Sequence, residues 1–179
     1  MLKSENALLL VIDFQERLMP SIHGHAELEK KTAAFIKGCR ILDVPVLTTQ
    51  QYTKGLGDTS QALKDALCKF DPIEKITFSC CETIMFIDKL NSLGKKEIIV
   101  TGIEAHICVQ QTALDLLDSG YTVYVVADCI GSRNVRDYTY AVERMRQAGA
   151  VITTMESVLF EFLVRADHPK RKEISNLVK

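Results

Sequence analysis

The feature that most constrains this chain is a rhythm. Short apolar runs alternate with stretches of helical spacing from one end to the other. Ala7–Phe14, Lys96–Ile103 and Tyr121–Asp128 read as strands, and the last two (KEIIVTGI, YTVYVVAD) are apolar almost without a break. A strand with one wet face alternates apolar and polar residues, so an unbroken run needs cover on both faces. Val44–Tyr52, with its proline near the start, Ile73–Phe78 and Ala150–Thr154 add three more strand candidates. Between them, Ala26–Asp43, Thr59–Cys68, Cys81–Gly94, Ala105–Gly120 and Asn134–Gly149 have helical spacing. Gly94, Gly120 and Gly149 stand where helix stops are expected, and Thr59 or Ser60 where a helix start is. Glu156–Leu163 and a polar, helical tail follow. The expected fold is therefore a three-layer α/β/α domain, with about six mostly parallel strands and helices on both faces. No linker, repeat or low-complexity segment interrupts it, so residues 1–179 are read as one domain.

Composition excludes some functions. The net charge of -1 gives no electrostatic footprint for nucleic acid. No segment is apolar for long enough to span a bilayer. The apolar N-terminal run ends at Asp13 without a small-residue cleavage pattern, which reads as a first strand and not as a signal peptide. Six cysteines without an export signal point to a reducing, cytoplasmic setting. No CxxC pair occurs, and the His23-x-His25 pair has no third ligand at convincing spacing, so no metal site is expected. The sequence lacks GxGxxG after the first strand, a P-loop and a GxSxG elbow, which removes the main support for dinucleotide, phosphoryl-transfer and serine-hydrolase chemistry.

In open parallel sheets, sites form beyond the carboxyl ends of strands. Three places qualify: Asp13, the turn Gly102–Cys108, and Ala127–Arg133. Cys108 stands in the first turn of a helix, where the dipole favours a thiolate. It shares a helix face with Gln111, Thr112 and Asp115, away from the apolar stripe Val109, Ala113, Leu116 and Leu117. Against that stands the ordinary role of cysteine as a small buried hydrophobe. Asp13 ends a strongly apolar strand; the alternatives are a structural cap or salt bridge and a general base. Lys75 is flanked by Ile73 and Ile76; a lysine so placed either snorkels to water or supports a neighbouring anion. His106 lies two residues from Cys108, but side chains so spaced diverge at a helix start, which ranks it below an acid from another strand.

Together these residues resemble a known set. Asp13 in VIDFQ, Lys75 in KITFS and Cys108 after TGIEAHICV, in this order, resemble the isochorismatase-like cysteine hydrolase family. QQYTKGLGDT, GIEAHICVQQTALDL, ADCIGSR and RADHP are most similar to its subgroup of isochorismatase domain-containing proteins. The resemblance implies a catalytic triad of Asp13, Lys75 and Cys108, and a cis peptide joining Ile103 to Glu104. It also implies an oxyanion hole from the backbone N–H groups of Glu104 and Cys108, and a homo-oligomer. Nicotinamidases of the family carry an Asp/His metal cluster after the second strand; TTQQYTKGLGDT has no histidine, so no metal and no cofactor are expected. The expected activity is cleavage of a small amide-like C–N bond through a cysteine thioester, with a small molecule as the only partner besides the chain itself. Phe14, Tyr52 and Phe78 are candidate pocket walls, with core packing as the competing role, and Arg133 is a candidate for a substrate carboxylate. Two other readings stand beside this one: a thiol-redox protein using Cys108, and a non-catalytic interaction module.

Overall fold

The computed structural model describes residues 1–179. Six strands form one sheet: β1 Ala7–Ile12, β2 Val46–Gln51, β3 Ile73–Lys75, β4 Glu97–Ile103, β5 Thr122–Gly131 and β6 Val151–Thr153. The order is β3-β2-β1-β4-β5-β6, and every neighbouring pair is parallel. The helices are α1 His25–Ile41, α2 Thr53–Leu56, α3 Gln61–Leu67, α4 Ile84–Leu93, α5 Gln110–Asp118, α6 Val135–Gln147, α7 Met155–Leu163 and α8 Arg171–Leu177. No helix is long and apolar enough to cross a membrane.

The unbroken apolar strands are explained by two cores, one on each face. Leu9 and Val11 of β1 pack with α1, α3, α7 and α8, around Phe35, Ile36, Leu63, Leu159 and Phe162. Leu8, Leu10 and Ile12 point the other way and pack with α4, α5 and α6, around Phe86, Leu90, Leu116 and Met145. All six residues of β1 are buried, as the period-two geometry of a doubly covered strand requires. Gly94 ends α4 in the left-handed conformation expected of a helix stop.

Several boundaries differ from the sequence reading. The second and third strands are shorter, the third stopping at Lys75, and the short helix α2 follows β2. Two further differences lie beside the strand ends. The fifth strand runs past Asp128 to Gly131, because a register shift lets β5 bulge: Val100 pairs with Val125, yet Gly102 pairs with Ile130. The helix carrying Cys108 does not begin as a regular first turn. A wide π-type turn, Ala105–Val109, precedes α5 and contains the cysteine.

Strand order fixes where a site can form. The chain moves outward from β1 to β3 on one side and from β4 to β6 on the other, so direction reverses between β1 and β4. A crevice opens at such a switch point, beyond the carboxyl ends. Asp13 follows β1 directly, and the turn to Cys108 follows β4 directly. The two strands come very close there. A Cβ on Gly102 would lie 2.6 Å from Ile12 Cβ and 2.7 Å from Ile12 O, with φ at +150°, so only glycine fits beside the end of β1.

Candidate active site

Three strand ends supply the charged centre. Asp13, in a left-handed conformation at φ +56°, turns its carboxylate into the protein. Its Oδ1 accepts a hydrogen bond from the Thr49 hydroxyl of β2 at 2.8 Å. Its Oδ2 accepts one from Lys75 Nζ, at the end of β3, at 2.7 Å. Lys75 does not snorkel: both side chains of this pair are 0% exposed. A pair so deeply desolvated persists only if the remaining polar atoms are satisfied as well. The ammonium also donates to Gln51 Oε1 at 2.6 Å and to the carbonyls of Thr77 and Phe78 at 3.1 Å each. Burial pulls the Lys75 pKa down, but the charge of Asp13, with Cys80 and Cys108 nearby and the hydrogen bond to Asp13, outweighs it and leaves the net value raised. Lys75 is a fixed cation.

Cys108 belongs to the apolar cluster on the α4–α5–α6 face and is nearly buried. Burial pushes its thiol pKa up first; the Asp13 charge and a hydrogen bond to Asp13 push it further, as does Cys80, and only Lys75 pulls it down. The net direction is upward. The pull of a helix start toward the thiolate is outweighed here, because the turn is buried and lies near a carboxylate, and both effects disfavour the anion. What the fold assembles is a neutral thiol within the influence of a buried carboxylate, with an ammonium held against that carboxylate.

The loop after β3 is tied to the helix that carries Cys108. The Cys80 N–H donates to the Thr112 hydroxyl at 3.0 Å, and the Ser79 hydroxyl donates to the Asp115 carboxylate. Thr112 and Asp115 are the polar residues that helical spacing puts on the Cys108 face, so that face looks onto the loop behind Lys75.

The opposite wall is the turn after β4. The peptide bond between Ile103 and Glu104 is cis. The Glu104 carbonyl accepts from the N–H groups of Ile107 and Val109, while its own N–H finds no backbone acceptor. The Glu104 carboxylate is buried and accepts from the Arg133 backbone N–H at 2.9 Å, from its Nε at 3.1 Å and from its Nη2 at 3.0 Å. Arg133, the candidate for a substrate carboxylate, is thus tied to Glu104 through Nε and Nη2, while its side chain stays 59% exposed. His106 likewise pairs elsewhere, through Nδ1 with the Ser132 hydroxyl at 2.9 Å. Together these two contacts join the turn after β4 to the end of β5.

Of the candidate pocket walls, Phe14 is fully buried in the core on the opposite face of the sheet, so it packs the core and lines no pocket. Tyr52 and Phe78 are each 54% exposed, and Ile76, Ile84 and Met85, from the same part of the sequence, are more exposed still. The Tyr52 N–H donates to the Lys75 carbonyl at 2.9 Å, and the Phe78 carbonyl receives the Lys75 ammonium, so both residues adjoin the lysine through their backbones. His23 and His25 are exposed ahead of and at the start of α1, and no three His, Cys, Asp or Glu side chains come together as a group able to hold a metal. Thr49, Gln51 and Gln15 were missed by sequence reasoning. The signal was present in TTQQ, a polar run ending a strand: all four of these residues are buried, and buried polar groups require partners.

Comparison with known proteins locates this arrangement. The Isochorismatase domain model matches residues 7–157. Isochorismatase domain-containing protein 1 of Danio rerio is 37% identical over 172 residues, covering 93% of this chain and 59% of the relative, so the chain spans well under two thirds of that protein's length. The structure of MAR1 ribonuclease from Caenorhabditis elegans superposes with a TM-score of 0.93 at 39% identity, covering 99% of this chain and 91% of that one. The YcaC gene product of Escherichia coli, described as an octameric hydrolase of unknown specificity, shares the fold with a TM-score of 0.89 at 24% identity, covering 98% and 86%.

Proposed function

The chain belongs to the isochorismatase family, and from that premise we propose that it is a cysteine hydrolase of small amide-like C–N bonds. The observation that carries this reading is the buried Asp13–Lys75 pair, closed at 2.7 Å, whose two charges both act on the Cys108 thiol. Asp13 takes the thiol proton as sulfur attacks the substrate carbonyl. Lys75 works through its field. Its ammonium already has four acceptors within the chain for three protons, so it has none to spare for substrate. The oxyanion is received by the N–H groups of Glu104 and Cys108, each donor of this kind being worth about 3 kcal/mol. Asp13, now protonated, returns its proton to the departing amine. Water then cleaves the thioester with Asp13 again as base, and the free acid leaves. The cycle balances without a metal or cofactor.

Self-association is part of the proposal. Tyr52, Ile76, Phe78, Ile84 and Met85 expose apolar surface within one stretch of the chain, which favours burial against a second copy. Phosphodiester cleavage, which the name of the nematode neighbour suggests, has less support: the chain's net charge of -1 offers no attraction to RNA.

The test is a panel of small amides and an RNA substrate, with Cys108→Ala as control. We expect amide turnover, an acyl adduct on Cys108 in intact-mass spectra, and no turnover by the variant. Amide hydrolysis retained in Cys108→Ala, or RNA cleaved while amides are not, would overturn the proposal.

A further inference from the structure

The lysine of the charged centre is held from behind by an amide. Gln51 Oε1 accepts from Lys75 Nζ at 2.6 Å, while Gln51 Nε2 donates to the Ile76 carbonyl at 2.7 Å. These two contacts leave the amide one orientation. Flipped, it would set an NH2 against an ammonium and an oxygen against a carbonyl. Gln51 is fixed in turn by Gln15, another buried amide. Gln15 Oε1 accepts the Gln51 N–H at 2.7 Å, and Gln15 Nε2 donates to the Gln51 carbonyl at 2.9 Å and the Gly57 carbonyl at 2.7 Å. Both protons of the Gln15 amide are used. Gln15 lies two residues beyond Asp13 on the same chain segment, so the bonds close a ring: Asp13 to Lys75, Lys75 to Gln51, Gln51 to Gln15, and Gln15 back along the backbone to Asp13.

We infer that Gln51, braced by Gln15, is a positioning residue that holds the Lys75 ammonium against Asp13 while leaving its charge undiminished. The inference deepens the hydrolase reading and rests on it for what the charge is used for. Its content lies in the choice of residue. A neutral carbonyl oxygen fixes a cation without cancelling it. A carboxylate in the same place would set Lys75 between two anions and weaken its pull on Cys108. The ionisable groups that face Lys75 are Asp13 from the end of β1, Cys80 from the turn after β3 and Cys108 from the turn before α5. Asp13 supplies the one carboxylate that bonds the lysine, so an added one at position 51 would be felt directly.

The test needs no substrate. Alkylation of Cys108 by iodoacetamide is followed by peptide mapping across pH in the wild-type chain, in Gln51→Glu and in Gln51→Met, with exposed Cys68 as internal reference. Gln51→Glu should move the Cys108 profile up by about one pH unit, roughly a tenfold slower reaction at a fixed pH near 8, with Cys68 unchanged. Gln51→Met removes the acceptor without adding charge, and should slow Cys108 several-fold at that pH. A role confined to packing would alter thermal stability and leave the profile in place. If Cys108 in the wild-type chain, 6% exposed, reacts no faster than fully buried Cys129, the nucleophile reading fails. If it reacts faster but both variants keep its profile and rate, the inference about Gln51 alone is overturned.

Discussion

Two pairs of buried cysteines lie on opposite faces of the same sheet, and their surroundings differ in one respect. Cys39 and Cys129 belong to the core under α1 and α7; Cys80 and Cys108 belong to the core under α4 and α5. All four thiols are pushed above their ordinary pKa, and in each case burial is the largest cause. Burial therefore does not separate a structural cysteine from a reactive one. Beside Cys39 the second influence is only Cys129, while Cys129 itself feels Asp128 and Lys31, a partly exposed pair 3.9 Å apart. Beside Cys80 and Cys108 stand Asp13, which can take a proton, and Lys75, which pulls the other way. What sets Cys80 and Cys108 apart is the state of the charged pair beside them: Asp13 and Lys75 are 0% exposed, stand 2.7 Å apart and come from strand ends far apart in sequence.

The sharpest way to break the comparison is to remove one sulfur from each face. Cys108→Ala should lower amide turnover by at least about a thousandfold, as expected when the nucleophile itself is lost. Cys129→Ala should leave kcat/KM within about a factor of three and cost only the modest stability of a small core truncation. Steady-state rates on the two variants decide it; equal losses would mean that the faces are not functionally distinct.

Lys75→Met comes next. It strands the Asp13 carboxylate in a site with no other cation, and breaking a buried pair in this way costs about 3–5 kcal/mol. Urea denaturation should show that loss, alongside loss of turnover. Cys39→Ala, a similar intrusion on the other face, should cost clearly less. A Lys75→Met protein as stable as the wild type would mean that Asp13 simply picks up a proton when its partner is gone.

The alkaline limb of stability is a smaller effect of the same origin. A thiol whose pKa is raised by folding adds stability that is complete below its unfolded value and disappears as pH rises through the folded one. Cys80 moves from 9.0 to about 11, and Cys81 from 9.0 to about 12. The raised Lys75 has the same sign. Unfolding free energy should therefore decline from about pH 9 upward, with Cys80 alone contributing up to about 3 kcal/mol by pH 11. Cys80→Ala should flatten part of that decline in melts taken between pH 7 and pH 11. A limb unchanged by the substitution would show that another group titrates there.

How much of this was legible in the sequence follows from distance along the chain. The doubly covered strands could be read because their signal, an unbroken apolar run, is local. The end of β5 could not, because Asp128 looks like a strand terminus; in the structure it sits in a bulge, where its Oδ1 accepts from the Met155 N–H. Asp13, Lys75 and Cys108 were legible as a set only through resemblance, since their contacts join residues such as 13 and 75, which no periodicity links. The balance at the Cys108 proton was not legible locally either: a helix start favours an anion, but the buried carboxylate that opposes this comes from another strand. Gln15 and Gln51 act through bonds across 36 and 24 residues, and a polar run at a strand end does not name its partners.

The smallest predicted effect makes the larger ones measurable. Cys68 is exposed, lies just past the end of α3, and receives Arg40 Nη1 at 2.8 Å. It touches neither core and none of the strand-end residues, so Cys68→Ser should change stability by less than about 0.5 kcal/mol, as surface substitutions generally do. Turnover should stay within a factor of about two. Its value lies in labelling. An exposed thiol next to a guanidinium takes up alkylating reagent early and masks slower sites, so in the Cys68→Ser chain the first adduct mapped should be on Cys108. If the first adduct instead falls on partly exposed Cys81, access alone governs these thiols, and the strand-end carboxylate and cation have no hold on the sulfur between them.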